Sequence, residues 1–130
     1  MVQLRETVIQ IRNGKWKEFN KHGVLIAEGV YINDKKHGTW IEYYDQNASK
    51  MIEEDYRYGV QHGRFISYHP NGRIFSQGQF VNGMREGYFR AYDEFGKNTR
   101  TMFFVNNIQI RDAADPLATG DKERQRQHPG

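Results

Sequence analysis

The chain has no cysteine among its 130 residues. Without thiols there is no disulfide framework and no thiolate metal site, which is compatible with a reducing compartment. Apolar residues are scarce too, at 37 % of the chain. No stretch approaches the roughly 20 apolar residues of a membrane-spanning helix, and no basic start followed by an apolar run appears near Met1. The expectation is a cytoplasmic protein, with a peripheral membrane association left open. Catalytic signatures are also missing: there is no Gly-x-Ser-x-Gly, no phosphate-cradling glycine loop and no carboxylate pair with an evident role. The expectation is therefore a protein that is not an enzyme and carries no cofactor.

The chain is rich in aromatics, at 14 %, and has 13 glycines. Phe and Tyr must supply most of the core. They do so periodically: Gly14-Lys15-Trp16-Lys17-Glu18-Phe19, Gly38-Thr39-Trp40-Ile41-Glu42-Tyr43, Gly63-Arg64-Phe65-Ile66-Ser67-Tyr68 and Gly87-Tyr88-Phe89-Arg90-Ala91-Tyr92 start 24, 25 and 24 residues apart. A fixed period of this length marks a repeat architecture. The boundaries read 14–37, 38–62, 63–86 and 87–111, with an N-terminal capping strand over 1–13 and a polar tail, 112–130, expected to be disordered.

Each unit holds two turn signals. His22-Gly23, Asn47-Ala48, Asn71-Gly72 and Phe95-Gly96 follow the aromatic motif; Asn33-Asp34, Tyr58-Gly59, Asn82-Gly83 and Asn106-Asn107 close the unit. Such pairs tolerate the positive φ that two-residue type I′ hairpins require. The fold class is then all-β: an elongated, twisted, single-layer antiparallel meander of about four β-hairpins. A two-residue turn at Asn71-Gly72 places Phe65 opposite Gly78 and Gly63 opposite Phe80. The same rule places Trp16 opposite Gly29, Gly14 opposite Tyr31, Phe89 opposite Met102 and Gly87 opposite Phe104. Glycines and rings form a checkerboard on one face, and the expectation is that Gly29→Val collides with Trp16 and Gly78→Val with Phe65. Strict alternation puts Phe19, Tyr43, Tyr68 and Tyr92 on the opposite face, whereas a β-bulge would bring them onto the same one.

Charge adds a pattern. The second unit has two Lys/Arg against five Asp/Glu, and its neighbours are basic. Glu53-Glu54-Asp55 falls where other units have glycine, and consecutive carboxylates on a dry face need partners. A basic partner is expected there. His37 and His62 occupy equivalent places, but equivalent strands lie about 9.5 Å apart, too far to share a metal, so no metal is expected. Nucleic acid is an unlikely partner, because the aromatics have a simpler role as a ladder and the net charge is only +3.

At this point the residues resemble a family. Tyr31-Ile32-Asn33-Asp34-Lys35-Lys36-His37-Gly38-Thr39-Trp40 and Phe80-Val81-Asn82-Gly83-Met84-Arg85-Glu86-Gly87-Tyr88-Phe89 resemble MORN repeats in their bacterial variant form, over roughly residues 14 to 109. The chain departs from the pattern in its acidic second unit, at Met102 and at Asn106-Asn107. The resemblance implies an elongated one-layer sheet with a groove used for protein–protein contact, and an antitoxin or immunity role in bacteria or phospholipid binding as alternatives. Candidate partner-binding residues are Trp16, Phe19, Trp40, Tyr43, Phe65, Tyr68, Phe89, Tyr92, Glu53, Glu54 and Asp55. Lys35, Lys36 and His37 are the candidates for anionic phospholipid. Gly14, Gly29, Gly38, Gly63, Gly78 and Gly87 are read as structural. Self-association is expected to give a homodimer, through unpaired edges at Thr7–Ile11 and Thr101–Val105.

Overall fold

The computed structural model describes residues 9–112. It is a single antiparallel sheet that follows the chain as a meander. The strands are β1 (Gly14–Phe19), β2 (Leu25–Ile32), β3 (Lys35–Tyr43), β4 (Lys50–Arg57), β5 (Val60–Tyr68), β6 (Ile74–Val81), β7 (Met84–Arg85), β8 (Gly87–Tyr92), β9 (Asn98–Val105) and β10 (Ile108–Asp112). Their order across the sheet is the chain order, with the short β7 pairing β6 beside β8. The all-β meander expected from the repeat is what forms, and no helix occurs among the described residues.

The four unit-closing turns take the expected geometry. Asn33 and Asp34, Tyr58 and Gly59, Asn82 and Gly83, and Asn106 and Asn107 all have positive φ at both central positions, as a type I′ turn demands. The other four turns do not. Asn71 is absent from the positive-φ residues and only Gly72 adopts that region. His69 N–H bonds Arg73 C=O at 2.7 Å, leaving a three-residue loop, Pro70–Gly72. The loops at Asn20–Val24 and Asp93–Lys97 close the same way, and the one between Tyr44 and Ser49 has one more residue, the source of the 25-residue spacing.

The register expected within hairpins nevertheless holds: Phe65 faces Gly78, Gly63 faces Phe80, Trp16 faces Gly29 and Phe89 faces Met102. A β-bulge in each second strand restores it. Tyr68 pairs with Ile74 but Ser67 with Ser76, so Phe75 is the extra residue, and Ile26, Met51 and Thr99 are its equivalents. An odd loop plus one bulged residue leaves the side chains on the faces an even loop would give.

A larger shift separates neighbouring units. Glu28 pairs with Ile41 but Val30 with His37, so β3 carries two more residues than β2 around Gly38. The same happens around Gly63. Gly38 and Gly87 have φ near +80° with open space where a Cβ would stand. Backbone conformation, not room, is therefore what requires these glycines.

The inter-unit shift slides two first-strand rings over glycines of the preceding unit. A Cβ on Gly29 would lie 2.6 Å from Cγ of Trp40, and one on Gly78 would lie 2.5 Å from Cγ of Phe89. The rings over these glycines are thus Trp40 and Phe89, not the cross-strand Trp16 and Phe65 expected from the hairpin register. Trp40 and Phe89 are accordingly 3 % and 8 % exposed, and with Tyr31 and Phe104 they are the buried apolar residues among those described.

The edges also differ from expectation. Ile9, Gln10 and Ile11 form no strand, and the first edge is β1; residues 1–8 lie outside the described residues. Thr101–Val105 is interior, because β10 pairs with β9 beyond it. The I′ turn at Asn106-Asn107 permits this extra strand. The tail expected over 112–130 starts one residue too early, since Asp112 ends β10; the rest of it lies outside the described residues.

Candidate functional site

One face of the sheet carries the rings. Trp16 meets Tyr31 edge-on at 5.6 Å between centroids, and Tyr31 meets Trp40 at 4.8 Å. A second string runs Phe65–Phe80 (6.0 Å), Phe80–Phe89 (5.6 Å) and Phe89–Phe104 (5.3 Å). Such tilted pairs each contribute about 0.5–1.5 kcal/mol beyond area burial. Cations cover the rings. Arg12 Cζ lies 4.0 Å from the Tyr31 centroid, Lys36 Nζ 4.9 Å from Trp40 and 5.2 Å from Tyr56, and Arg85 Cζ 4.3 Å from Phe104. All three stand two residues before a unit glycine. Sequence reading assigned Lys36 to a lipid site and passed over Arg12 and Arg85, although their shared offset was visible.

The opposite face carries tyrosines. The Tyr43 hydroxyl donates to Glu28 and the Tyr68 hydroxyl to Glu53. In the fourth unit Gln77 Nε2 donates to the Tyr92 hydroxyl at 3.0 Å. Each pair spans 15 residues and joins one unit to the next. Glu28 is the neighbour of Gly29, over which Trp40 lies, so these tyrosines occupy the face away from Trp40. Strict alternation thus holds, and the bulges fall in the partner strands. Burial first, and then the acceptor carboxylate, push the Tyr43 and Tyr68 phenols up to about 12.

The three consecutive carboxylates all find partners within the sheet. Glu53 takes the Tyr68 hydroxyl and lies 3.5 Å from Lys50 Nζ. Glu54, on the ring face, accepts from the Tyr56 hydroxyl at 2.6 Å and Gln61 Nε2 at 3.1 Å. Asp55 accepts from the Thr39 hydroxyl at 2.8 Å and from Arg64 N–H at 3.0 Å and Nε at 3.2 Å. Burial opposes ionisation of Asp55, but these hydrogen bonds outweigh it and hold its carboxyl below the usual range.

The histidines have a structural task. His37 Nδ1 accepts from Tyr58 N–H at 3.2 Å, and His62 Nδ1 from Asn82 N–H at 3.0 Å. Asn13 and Glu86, also immediately before a glycine, do the same for Asn33 and Asn106, at 2.8 Å each. The next turn residue bonds one position further back: Asp34 N–H to Arg12 C=O, Gly59 to Lys36, Gly83 to Gln61 and Asn107 to Arg85, at 2.7–2.9 Å. Both otherwise orphaned N–H groups of every I′ turn are thereby satisfied by the residue pair just before the glycine that opens their unit. No group of three metal-ligating side chains occurs among the described residues.

Accessibility sorts the candidates. Trp16 is 36 % and Phe19 55 % exposed on the edge strand. Trp40 and Phe89 are buried, so they support the surface instead of forming it. Phe65, Tyr43, Tyr68 and Tyr92 are half-buried. Lys35 is exposed, but Lys36 lies on rings and His37 caps a turn, so the trio does not form a free basic cluster. Among the described residues no helix is long and apolar enough to cross a membrane.

Comparison with known families agrees with this geometry. A family model described as MORN repeat variant matches residues 12–33 and 61–82. Both matched stretches run from the residue pair that caps a turn to the turn it caps. No curated protein matches the chain. Repeats of this kind serve generally as modules for interaction with proteins or membranes. Sequence and structure thus agree unit by unit: the MORN-variant model matches the first and third units, and the same turn hydrogen bonds recur in all four.

Proposed function

We propose that the chain is a non-catalytic recognition module that docks another protein on its ring face and the adjoining β1 edge. The observation that carries this reading is the single layer. Nothing is stacked on either face among the described residues, only four apolar side chains are buried, and Trp16 and Phe19 stay open at the edge. Apolar surface left open in this way is where interaction sites are found. A non-catalytic role is supported by the carboxylates, which are tied into hydrogen bonds between strands, and by phenols pushed too high to exchange protons at neutral pH.

An antitoxin or immunity role is a narrower form of the same reading, in which the docked protein is a toxin. Lipid binding is the alternative, weakened by the engagement of Lys36 and His37. The test is capture of a partner from the source cell by the full chain, compared with Trp16→Ala, alongside sedimentation with anionic vesicles. The proposal expects a protein partner retained at high salt and lost in the variant. Salt-sensitive vesicle binding with no protein partner would refute it in favour of lipid.

A further inference from the structure

We propose that the seam between the second and third units receives an arginine side chain of the docked protein. The inference rests on the reading above and specifies its chemistry. The rings form two strings, Trp16–Tyr31–Trp40 and Phe65–Phe80–Phe89–Phe104, and no ring pair joins them among the described residues.

Two departures from the repeat coincide at this break. Gly29 and Gly78 stand eleven residues before Trp40 and Phe89, and Glu54 stands eleven before Phe65. Where glycine lies beneath, the ring settles on the backbone and is buried; over Glu54, Phe65 remains half-buried. The second departure is Gln61, which occupies the position held by Arg12, Lys36 and Arg85 in the other units. Its amide turns to Glu54 at 3.1 Å. Phe65 therefore has a carboxylate beneath it where Trp40 and Phe89 have glycine, and its unit glycine is preceded by an amide where the others follow Arg12, Lys36 and Arg85.

At the seam Lys36 Nζ lies 5.2 Å from the Tyr56 ring and faces two acids, Glu54 and Glu42. The ion pairs of the described residues are Arg12–Asp34, Lys50–Glu53 and Arg64–Asp55, none of which uses Glu54. Glu42 projects from the same face one pleat along, since Trp40 pairs with Glu54 and Glu42 with Ile52. Both acids favour the protonated form of Tyr56, after burial as the larger cause. A guanidinium fits such a place better than an ammonium, because it stacks flat on a ring while its edge forks to a carboxylate. The chain itself shows this arrangement where Arg12 lies over Tyr31 and donates to Asp34.

The test uses the isotope-labelled full chain titrated with acetyl-Gly-Arg-Gly-amide, and with the same peptide carrying citrulline, at low ionic strength. The expected result is saturable amide shifts at Glu54, Tyr56 and Phe65 with the arginine peptide alone. Affinity should fall about fivefold or more in E42Q/E54Q, and also in E54G, which restores the repeat's own residue. Equal affinity for citrulline, unchanged affinity in both variants, or shifts confined elsewhere would overturn the proposal. Binding that appears only after Arg124→Gln and Arg126→Gln would assign the seam to the chain's own tail and overturn it equally. A protein partner still captured through Trp16 after such failures would leave the docking reading intact.

Discussion

Gly78→Ala tests the packing between units. The added carbon would stand 2.5 Å from Phe89 Cγ, whereas carbon atoms rest about 3.5–4.0 Å apart. The ring must retreat by about 1 Å, against Phe80 and Phe104, which hold it edge-on. Overpacking of this kind costs about 1–3 kcal/mol. Disturbing two ring pairs worth about 0.5–1.5 kcal/mol each raises the expected loss to about 2–4 kcal/mol. The backbone contributes none of this, because Gly78 does not have positive φ; alanine there would otherwise stabilise by about 0.4–1 kcal/mol. Urea unfolding of wild type, Gly78→Ala, Phe89→Leu and the double variant closes a cycle. The alanine penalty should fall below about 1 kcal/mol once leucine, which can turn away, replaces Phe89. A penalty unchanged in the leucine background, or one relieved by Phe65→Leu instead, would refute the inter-unit packing.

The turn caps predict that His62→Asn is tolerated, as Asn13 already performs that task, while His62→Leu loses about 1–2 kcal/mol in the same urea assay. The Tyr43 and Tyr68 phenols titrate near 12 against an ordinary 10.0, so they strengthen the fold fully below pH 10 and cease to as pH rises through about 12. Phenolate absorbance should show late-titrating tyrosines, fewer by one in Tyr68→Phe. Asp55, whose carboxyl is held low, contributes above its ordinary pKa and stops as pH falls through the folded value; acid unfolding of Asp55→Asn should accordingly be flatter. Light scattering should show a homodimer joined through β1 or β10, and a strictly monomeric mass at every concentration would exclude it.

The sequence disclosed whatever depended on counting within one hairpin. Spacing located the strands, and alternation offered, beside a bulged alternative, the face on which Tyr43 and Tyr68 lie. The Phe65–Gly78 register emerged correctly although the turn type did not, because the Phe75 bulge cancels the odd loop. What lay between units was hidden. The two-residue shift at Gly38 is a property of backbone dihedrals in one strand relative to its neighbour, so the seating of Trp40 on Gly29 could not be counted out. The partners of Glu53 and Asp55 were hidden for the same reason, as they are brought together only when β4 and β5 align. Arg12, Lys36 and Arg85 were legible in principle, but three cations among 19 lysines and arginines look like ordinary surface charge until the rings beneath them are known.

The caps on the unit-closing turns have a mechanical consequence. Each fastens a loop of about two dozen residues to its own beginning, and neighbouring units meet only along one strand pair. A chain held by its two ends would be loaded across the strand ladder, in the peeling direction, and would open from an edge one latch at a time. Each release would free 24 or 25 residues, about 80 Å of extended chain. The sheet is in that sense an extensible tether with four stops, able to lengthen in steps while its remaining units stay folded.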